Sequence, residues 1–179
     1  NTVSQSSKLD GRFLLLVFLS TIVVMVGLLE NSVAVVIGAM VIAPFLGPNI
    51  ALALGSALGD NQLIWQAFKT NIIGMTLVIL LCVLLGWWGP YEISSQELLA
   101  RTHVGFSSIV LALASGAAAV LSMTTGLSSV LVGVMVAVAL LPPAATLGFM
   151  LGSGHYDLAT GAGLLLAVNI VSINLAAKL

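Results

Sequence analysis

Long apolar stretches, separated by few charged residues, dominate the pattern of this chain. No charged residue lies between residues 12 and 30, 30 and 60, 69 and 92, 101 and 157, or 157 and 178. A helix crosses the hydrocarbon core of a membrane with about 20 residues. The stretch between Arg101 and Asp157 therefore suits two crossings. The stretch between Glu30 and Asp60 suits one helix that is broken or tilted.

This pattern predicts an all-α membrane protein with six transmembrane helices. We expect the helices at residues 12–29, 32–58, 67–88, 105–123, 128–151 and 158–177. The first is not a signal peptide, because five further spans follow it. Residues 1–11 are polar and predict a stub or linker from a preceding region. Residues 89–104 predict an external loop between the two halves.

The two halves of the chain repeat one another weakly. Gly38 aligns with Gly133 at a spacing of 133 − 38 = 95. At or close to this spacing the matched pairs are Met40 with Met135, Pro48 with Pro143, and Asn71 with Asn169. Each unit, 12–88 and 105–179, holds three predicted spans, and an odd number inverts the second unit in the membrane. Inverted repeats are common in secondary transporters, where a site forms near the midplane.

Prolines in the middle of the second and fifth predicted spans mark the first candidate site. A proline has no N–H and clashes with the carbonyl four residues before it, so we expect these helices to be broken or kinked. The released carbonyls cannot face lipid and must face protein or a water-lined cavity. An ordinary kink that helps packing is the alternative. The pathway candidates here are Pro44, Gly47, Pro48, Asn49, Pro142 and Pro143.

Three asparagines complete the predicted pathway. Asn71 and Asn169 are expected about one turn into the third and sixth spans, and Asn174 lies deeper. An amide in hydrocarbon needs hydrogen-bond partners, so each asparagine can also serve only to hold helices together. The symmetric placement of Asn71 and Asn169 favours a role in a site.

Polar residues also begin the two proline-containing spans. They are Asn31, Ser32, Ser128 and Ser129. These residue types are preferred N-caps, and that is the simpler interpretation. The alternative is that they line a mouth or gate.

Composition supports the membrane interpretation. Hydrophobic residues make up 60% of the chain, charged residues 6%, and the mean hydropathy is +1.20. A soluble domain carries about 25% charged residues. Lys8, Arg12, Lys69 and Lys178 lie on one side of the predicted topology and Arg101 on the other. The positive-inside rule then predicts cytoplasmic N- and C-termini in a multi-pass protein of the inner (plasma) membrane.

Several kinds of chemistry have no support in the sequence. We find no metal-ligand cluster, no phosphate-binding loop and no nucleophile with a nearby base, so we expect no enzyme activity, metal or cofactor. A net charge of −1 gives no reason to expect a nucleic-acid partner. Stripes of small residues on the fourth and sixth spans predict close helix packing, within one chain or in a homo-oligomer.

The stretches ENSVAVVIGAMVIAPFLGPNIALALGSALGD and LSSVLVGVMVAVALLPPAATLG resemble the two signatures of a known family, domain of unknown function 389. The resemblance covers nearly all of the chain. It implies a bacterial or archaeal hydrophobic membrane domain and supplies no catalytic residues. In this family the membrane part often follows a soluble region.

Two functions remain open at this point. The first is a transporter or channel module that moves a small solute or ion past a midplane site between the repeats. The second is an oligomeric membrane anchor or signalling module for a soluble sensory or binding domain.

Overall fold

The computed structural model describes residues 9–89, 93–125 and 129–176. In these ranges the chain is helical, without strands, and forms eight helices. They are α1 (Gly11–Leu29), α2 (Val33–Ile42), α3 (Leu46–Leu58), α4 (Asn61–Trp88), α5 (Gln96–Ala100), α6 (Phe106–Thr125), α7 (Ser129–Gly152) and α8 (Tyr156–Ala176).

Acidic side chains cap the helices that follow the polar turns. The Asp10 carboxylate accepts a hydrogen bond from the Phe13 N–H at 2.8 Å and so begins α1. The Asp60 carboxylate accepts from the N–H groups of Gln62 and Leu63 and begins α4. Just before it, Gly59 ends α3 with φ 67, in the left-handed region that glycine adopts without strain. Two helices can therefore meet at a turn of two residues.

The predicted spans correspond to helices, with one expected interruption and three differences. The second span is interrupted between Ile42 and Leu46, as the prolines predicted. The fifth is not broken: α7 runs without interruption through Pro142 and Pro143. The third span begins at Asn61 rather than residue 67, because Asp60 caps it. The predicted external loop contains the short helix α5, which the sequence analysis missed.

Helix α7 is the centre of the bundle. It packs against α1, α2, α3, α4, α6 and α8. The residues from Ala139 to Thr146 are all buried, and Leu141, Phe149 and Met150 are among the largest fully buried side chains. A helix that is buried on all sides is apolar on all sides rather than along one stripe. The continuous apolar sequence of α7 agrees with this burial.

The surface of the bundle is apolar, and its interior contains hydroxyl and amide groups. Exposed hydrophobic side chains cover α1, α4 and α8, among them Leu15, Leu80 and Val171 at 57%, 55% and 66% exposure. Buried polar side chains include Ser20, Thr21, Thr70, Ser115, Thr146, Asn169 and Ser172. Large exposed apolar areas mark a surface that contacts a membrane or another protein.

Several helices of this surface can span a bilayer. In the described residues three are long and apolar enough: Gly11–Leu29, Asn61–Trp88 and Tyr156–Ile173. Three further apolar helical stretches are shorter: Val33–Ile42, Phe106–Ala118 and Ala137–Gly152.

Three connections lie at the same end of the bundle. The side-chain oxygen of Asn31, in the turn between α1 and α2, accepts a hydrogen bond from the Glu97 N–H of α5 at 2.9 Å. The Ser95 hydroxyl donates to the Leu28 carbonyl at the end of α1. The turn between α7 and α8 packs against Gly86 near the end of α4. The ends of α1, α4 and α7, with α5, therefore form one face of the molecule.

Candidate functional site

The interruption between α2 and α3 is anchored by an aromatic side chain. Ala43, which precedes Pro44, is extended with ψ 123 and ends α2, because a residue before proline disfavours the helical conformation. Phe45 is fully buried, and its ring packs edge-to-face on Phe13 of α1 with centroids 6.3 Å apart. Gly74 of α4 leaves room for both rings: a Cβ there would lie 2.9 Å from Phe45 Cε1.

An asparagine pair lies one turn after this interruption. The Asn49 amide nitrogen (Nδ2) donates to the Phe45 carbonyl at 2.7 Å. The Asn71 amide nitrogen donates to the Asn49 side-chain oxygen at 3.2 Å and so links α4 to α3. The oxygen Oδ1 of Asn71 is buried and has no hydrogen-bond partner. Pro48 directly precedes Asn49 in the sequence. It is buried, and it has no N–H that could donate to the Pro44 carbonyl.

A second asparagine bonds to the carbonyl that Pro143 releases. In a regular helix the N–H of residue 143 would donate to the carbonyl of residue 139. Proline has no N–H, and the Asn169 amide nitrogen of α8 donates to the Ala139 carbonyl instead, at 2.9 Å. Asn169 is only 6% exposed, and its oxygen Oδ1 is buried without a partner. This bond gives the released carbonyl a partner, and α7 continues through Pro143 without the break that was one of the two predicted outcomes.

A small cavity adjoins this bond. It has a volume of about 40 Å³, which on a measure of 10–15 Å³ per water holds about three waters. Its lining comes from α6, α7, α8 and the end of α5: Ala100, Arg101, Ser108, Leu111, Ala112, Ser115, Val138, Ala139, Pro143, Leu165 and Asn169. Polar side chains from two helices, α6 and α8, and from Arg101 after α5 thus converge on a mostly apolar lining, as in ligand sites.

One side chain at the edge of this cavity is charged. Arg101 follows α5, and its Nη2 donates to Glu97 Oε2 at 3.1 Å in an ion pair. Its Nε is buried and has no hydrogen-bond partner. Both side chains are only partly exposed, at 30% for Arg101 and 22% for Glu97.

The two central asparagines lie deeper than the sequence predicted. Asn71 and Asn169 were expected about one turn into their spans. In the structure both lie near the middle of a helix. Asn71 is deeper because α4 begins at Asn61 rather than residue 67, and Asn169 lies 169 − 156 = 13 residues after the start of α8, a depth that the predicted bounds 158–177 already implied. This depth puts their amides far from either end of the bundle.

The remaining predicted residues have other positions. Asn31 is exposed, has φ 57, and its side-chain oxygen accepts from the Glu97 N–H at the α5 end. Ser32 occupies the N-cap position of α2, and its side chain makes no capping bond. Gly47 and Pro44 are half-buried at the start of α3. Ser128 lies outside the described residues, as do the side chains of Ser129 and Asn174.

Sequence reasoning missed Arg101, Ser108 and Ser115 as cavity residues. The two serines are seven residues apart, two helical turns, so they share a face of α6. That spacing was a usable signal. Arg101 could be singled out only as a lone charge, since its approach to α7 and α8 depends on the fold of residues 93–105.

The small-residue stripes serve packing inside the chain. Ala112, Ser115 and Gly116 of α6 are buried. Gly161 lies so close to the loop before α6 that a Cβ there would overlap the Thr102 carbonyl oxygen. The described parts of these stripes are therefore covered within one chain.

No group of three or more metal-ligating side chains of the kinds His, Cys, Asp and Glu occurs in the part of the chain that the structure describes. Cys82 is buried in α4, and His103 and His155 are exposed.

Comparison with known proteins identifies the family. Residues 40–175 match the family described as Domain of unknown function (DUF389), which is more than half of the chain. The chain belongs to this family. The resemblance seen in the two proline-containing signatures is thereby confirmed.

This chain is similar over nearly its whole length to a curated protein. The chain is 38% identical over 177 residues to the Uncharacterized protein MJ0678 of Methanocaldococcus jannaschii. This alignment covers 99% of the chain and 55% of the relative, so the chain spans about half the length of the protein it matches. No solved structure matches the chain.

Proposed function

We propose that this DUF389 chain is a transporter or channel module in which a small solute or ion passes the proline-containing helices near the middle of the membrane. The observation that carries the proposal is the Asn169 bond to the Ala139 carbonyl beside the cavity that Arg101, Ser108 and Ser115 also line. Buried amides with unpartnered oxygens are costly in a dry apolar bundle. They are explained if water or a solute reaches them.

The architecture that we propose has six spans in two inverted repeats, α1–α4 and α6–α8. In support, α1 packs on α2 and on α4, and α6 packs on α7 and on α8. The last helix of each repeat also packs on the proline-containing helix before it: α4 packs on α3, and α8 packs on α7. In each repeat, an asparagine near the middle of the last helix donates to the proline-containing element, through Asn71 and Asn169.

The proposed orientation follows from the shared face formed by α5 and the ends of α1, α4 and α7. This face would be external, which makes the N- and C-termini cytoplasmic in the inner (plasma) membrane. The exposed Trp87 and Trp88 at the end of α4 suit the membrane–water interface, where tryptophan is enriched. A homo-oligomer remains part of the proposal, since wide apolar faces stay exposed on α1, α4 and α8.

A second candidate function is a membrane anchor or signalling module for a soluble domain. The length of the relative, about twice that of this chain, favours it. The structure gives it less support, because the small residues Ala112, Ser115 and Gly116 of α6, which could form subunit contacts, are buried within the chain.

Substitution of the prolines tests the first function. In liposomes containing the purified protein, osmotic swelling in a panel of small solutes and salts should be faster than in empty liposomes for at least one of them. Pro143→Ala and Pro48→Ala should each lower that rate several-fold, because the restored N–H bonds to the carbonyl four residues before it, and at Ala139 it competes with the Asn169 amide for that carbonyl. Their melting temperatures should stay close to that of the unsubstituted protein.

The outcome against this function is equally clear. Swelling at the empty-liposome rate for every solute, with protein shown to be folded and inserted, would contradict transport. An unchanged swelling rate in the folded proline variants would show that the prolines have no role in the pathway.

A further inference from the structure

The charge on the cavity wall indicates which solutes the proposed pathway accepts. Among the described residues that line the cavity, Arg101 is the only charged one. The interaction energy between a unit positive charge and an ion a few ångströms away is much larger inside a protein than in water, since the effective dielectric constant is lower. The wall therefore favours anions over cations.

The geometry of Arg101 leaves part of its guanidinium for a ligand. Glu97 occupies Nη2, and the buried Nε has no partner. A buried N–H of a charged group without an acceptor is rare and calls for an explanation such as a bound ion or water. Nε belongs to the planar fork of donors with which arginine recognises anions.

Other donors extend from Arg101 toward the middle of the bundle. The hydroxyls of Ser108 and Ser115 lie on one face of α6 and line the same cavity. Asn169 uses one amide hydrogen on the Ala139 carbonyl, and its amide nitrogen carries a second. The volume of about 40 Å³ holds one small ion with one or two waters.

We propose that Arg101, Ser108, Ser115 and Asn169 form a binding site for a small monovalent inorganic anion, of which chloride is the test case. The inference deepens the proposed function by naming the class of substrate. It predicts that the anion enters at the α5 end, passes the Glu97–Arg101 pair and reaches Asn169 beside Pro143. The pair sets the strength of binding, because Glu97 competes with the anion for the guanidinium.

Binding is tested on the full chain in detergent, without any assumption of transport. Melting temperature is measured against chloride concentration, with gluconate replacing chloride at constant ionic strength. We expect a saturable rise with chloride, as for any ligand of the folded state. Arg101→Gln should weaken the apparent chloride affinity roughly tenfold or more, since a hydrogen bond to a charged group contributes that much. Arg101→Lys should restore part of it.

Two further variants keep this test decisive. Lys69→Gln removes a positive charge that stacks on Trp65, away from the cavity, and should leave the chloride response unchanged. Glu97→Gln keeps the arginine and removes its competitor, so it should strengthen chloride binding even if Arg101→Gln does not fold. Equal melting curves in chloride and gluconate, or a weaker response in Glu97→Gln, would overturn the inference.

A flux measurement separates this inference from the proposed function. Liposomes containing the protein are loaded with potassium chloride, and release is followed with an ion-selective electrode. Chloride release is measured with valinomycin present, so that potassium balances the charge, and potassium release is measured in a parallel sample with a protonophore, so that protons balance it. Chloride release above potassium release supports both. Potassium release alone would uphold a channel and refute the anion site. Saturable chloride binding without any flux would uphold the site and refute transport.

Discussion

Replacement of Asn169 by leucine is expected to destabilise the protein by about 1–3 kcal/mol, the cost of leaving a buried polar group without its partner. Leucine has nearly the shape of asparagine and no donor, so the Ala139 carbonyl would lose its hydrogen bond. Proline at residue 143 prevents the helix from supplying another. Unfolding of the purified protein by added SDS, followed by tryptophan fluorescence, measures the free-energy change.

The neighbouring prolines provide a matched control for this effect. In the double variant Asn169→Leu with Pro143→Ala, the N–H of residue 143 can donate to the Ala139 carbonyl, so most of the lost stability should return. Pro142→Ala restores an N–H to the Val138 carbonyl instead and should not rescue Asn169→Leu. Equal rescue by the two proline substitutions, or simple additivity of the effects, would contradict the assigned bond.

Enlarging the glycines between α4 and α7 is the second change with a large expected effect. A Cβ at Gly148 would overlap the Ile79 carbonyl oxygen, and one at Gly152 would overlap that of Val83. On the opposing helix, a Cβ at Gly86 would overlap the Phe149 carbonyl oxygen. Backbone carbonyls cannot move aside as flexible side chains can. We therefore expect Gly148→Ala and Gly152→Ala each to cost about 1–3 kcal/mol, the usual cost of overpacking.

Two other glycines serve as controls. Gly38 in α2 has no atom within 4 Å of a built Cβ, and Gly163 in α8 has only the side chain of Leu147, at 3.6 Å. Alanine at either position should be neutral or slightly stabilising, because it favours the helix more than glycine does. The same SDS titration compares all four variants. Costs in the controls as large as at Gly148 would show that the close α4–α7 approach is not what limits stability.

The helices were predictable because charged residues mark where apolar stretches end. Arg12, Glu30 and Asp60 bracket the first two spans, and the helix bounds fall within a few residues of them. The start of α4 was missed because its first turn is polar and reads as a loop until Asp60 is recognised as its cap. Helix α5 was missed because five residues show no usable periodicity.

The prolines predicted the interrupted helix correctly at Pro44, but at Pro143 the helix is not interrupted. At Pro44 the break is local, since an extended residue before proline needs no partner from elsewhere. At Pro143 the outcome depends on Asn169, which is distant in sequence and approaches through the packing of α8 on α7. The residue types at both places were identified from sequence. The pairing of Asn169 with Ala139, and the cavity beside it, required the fold.

Cysteine labelling shows whether water reaches the cavity beside Asn169. In a Cys82→Ala background, single cysteines replace Ser115 in the cavity, its exposed neighbour Ala114 on the outer face of α6, and Ser94 in the exposed loop. Intact membranes are treated with a membrane-impermeant thiol reagent, which reacts with the thiolate and so requires water. Labelling at residues 115 and 94 with protection at residue 114 is the predicted result. Protection at 115 equal to that at 114, with normal labelling at 94, would mean a dry bundle and contradict a pathway through it.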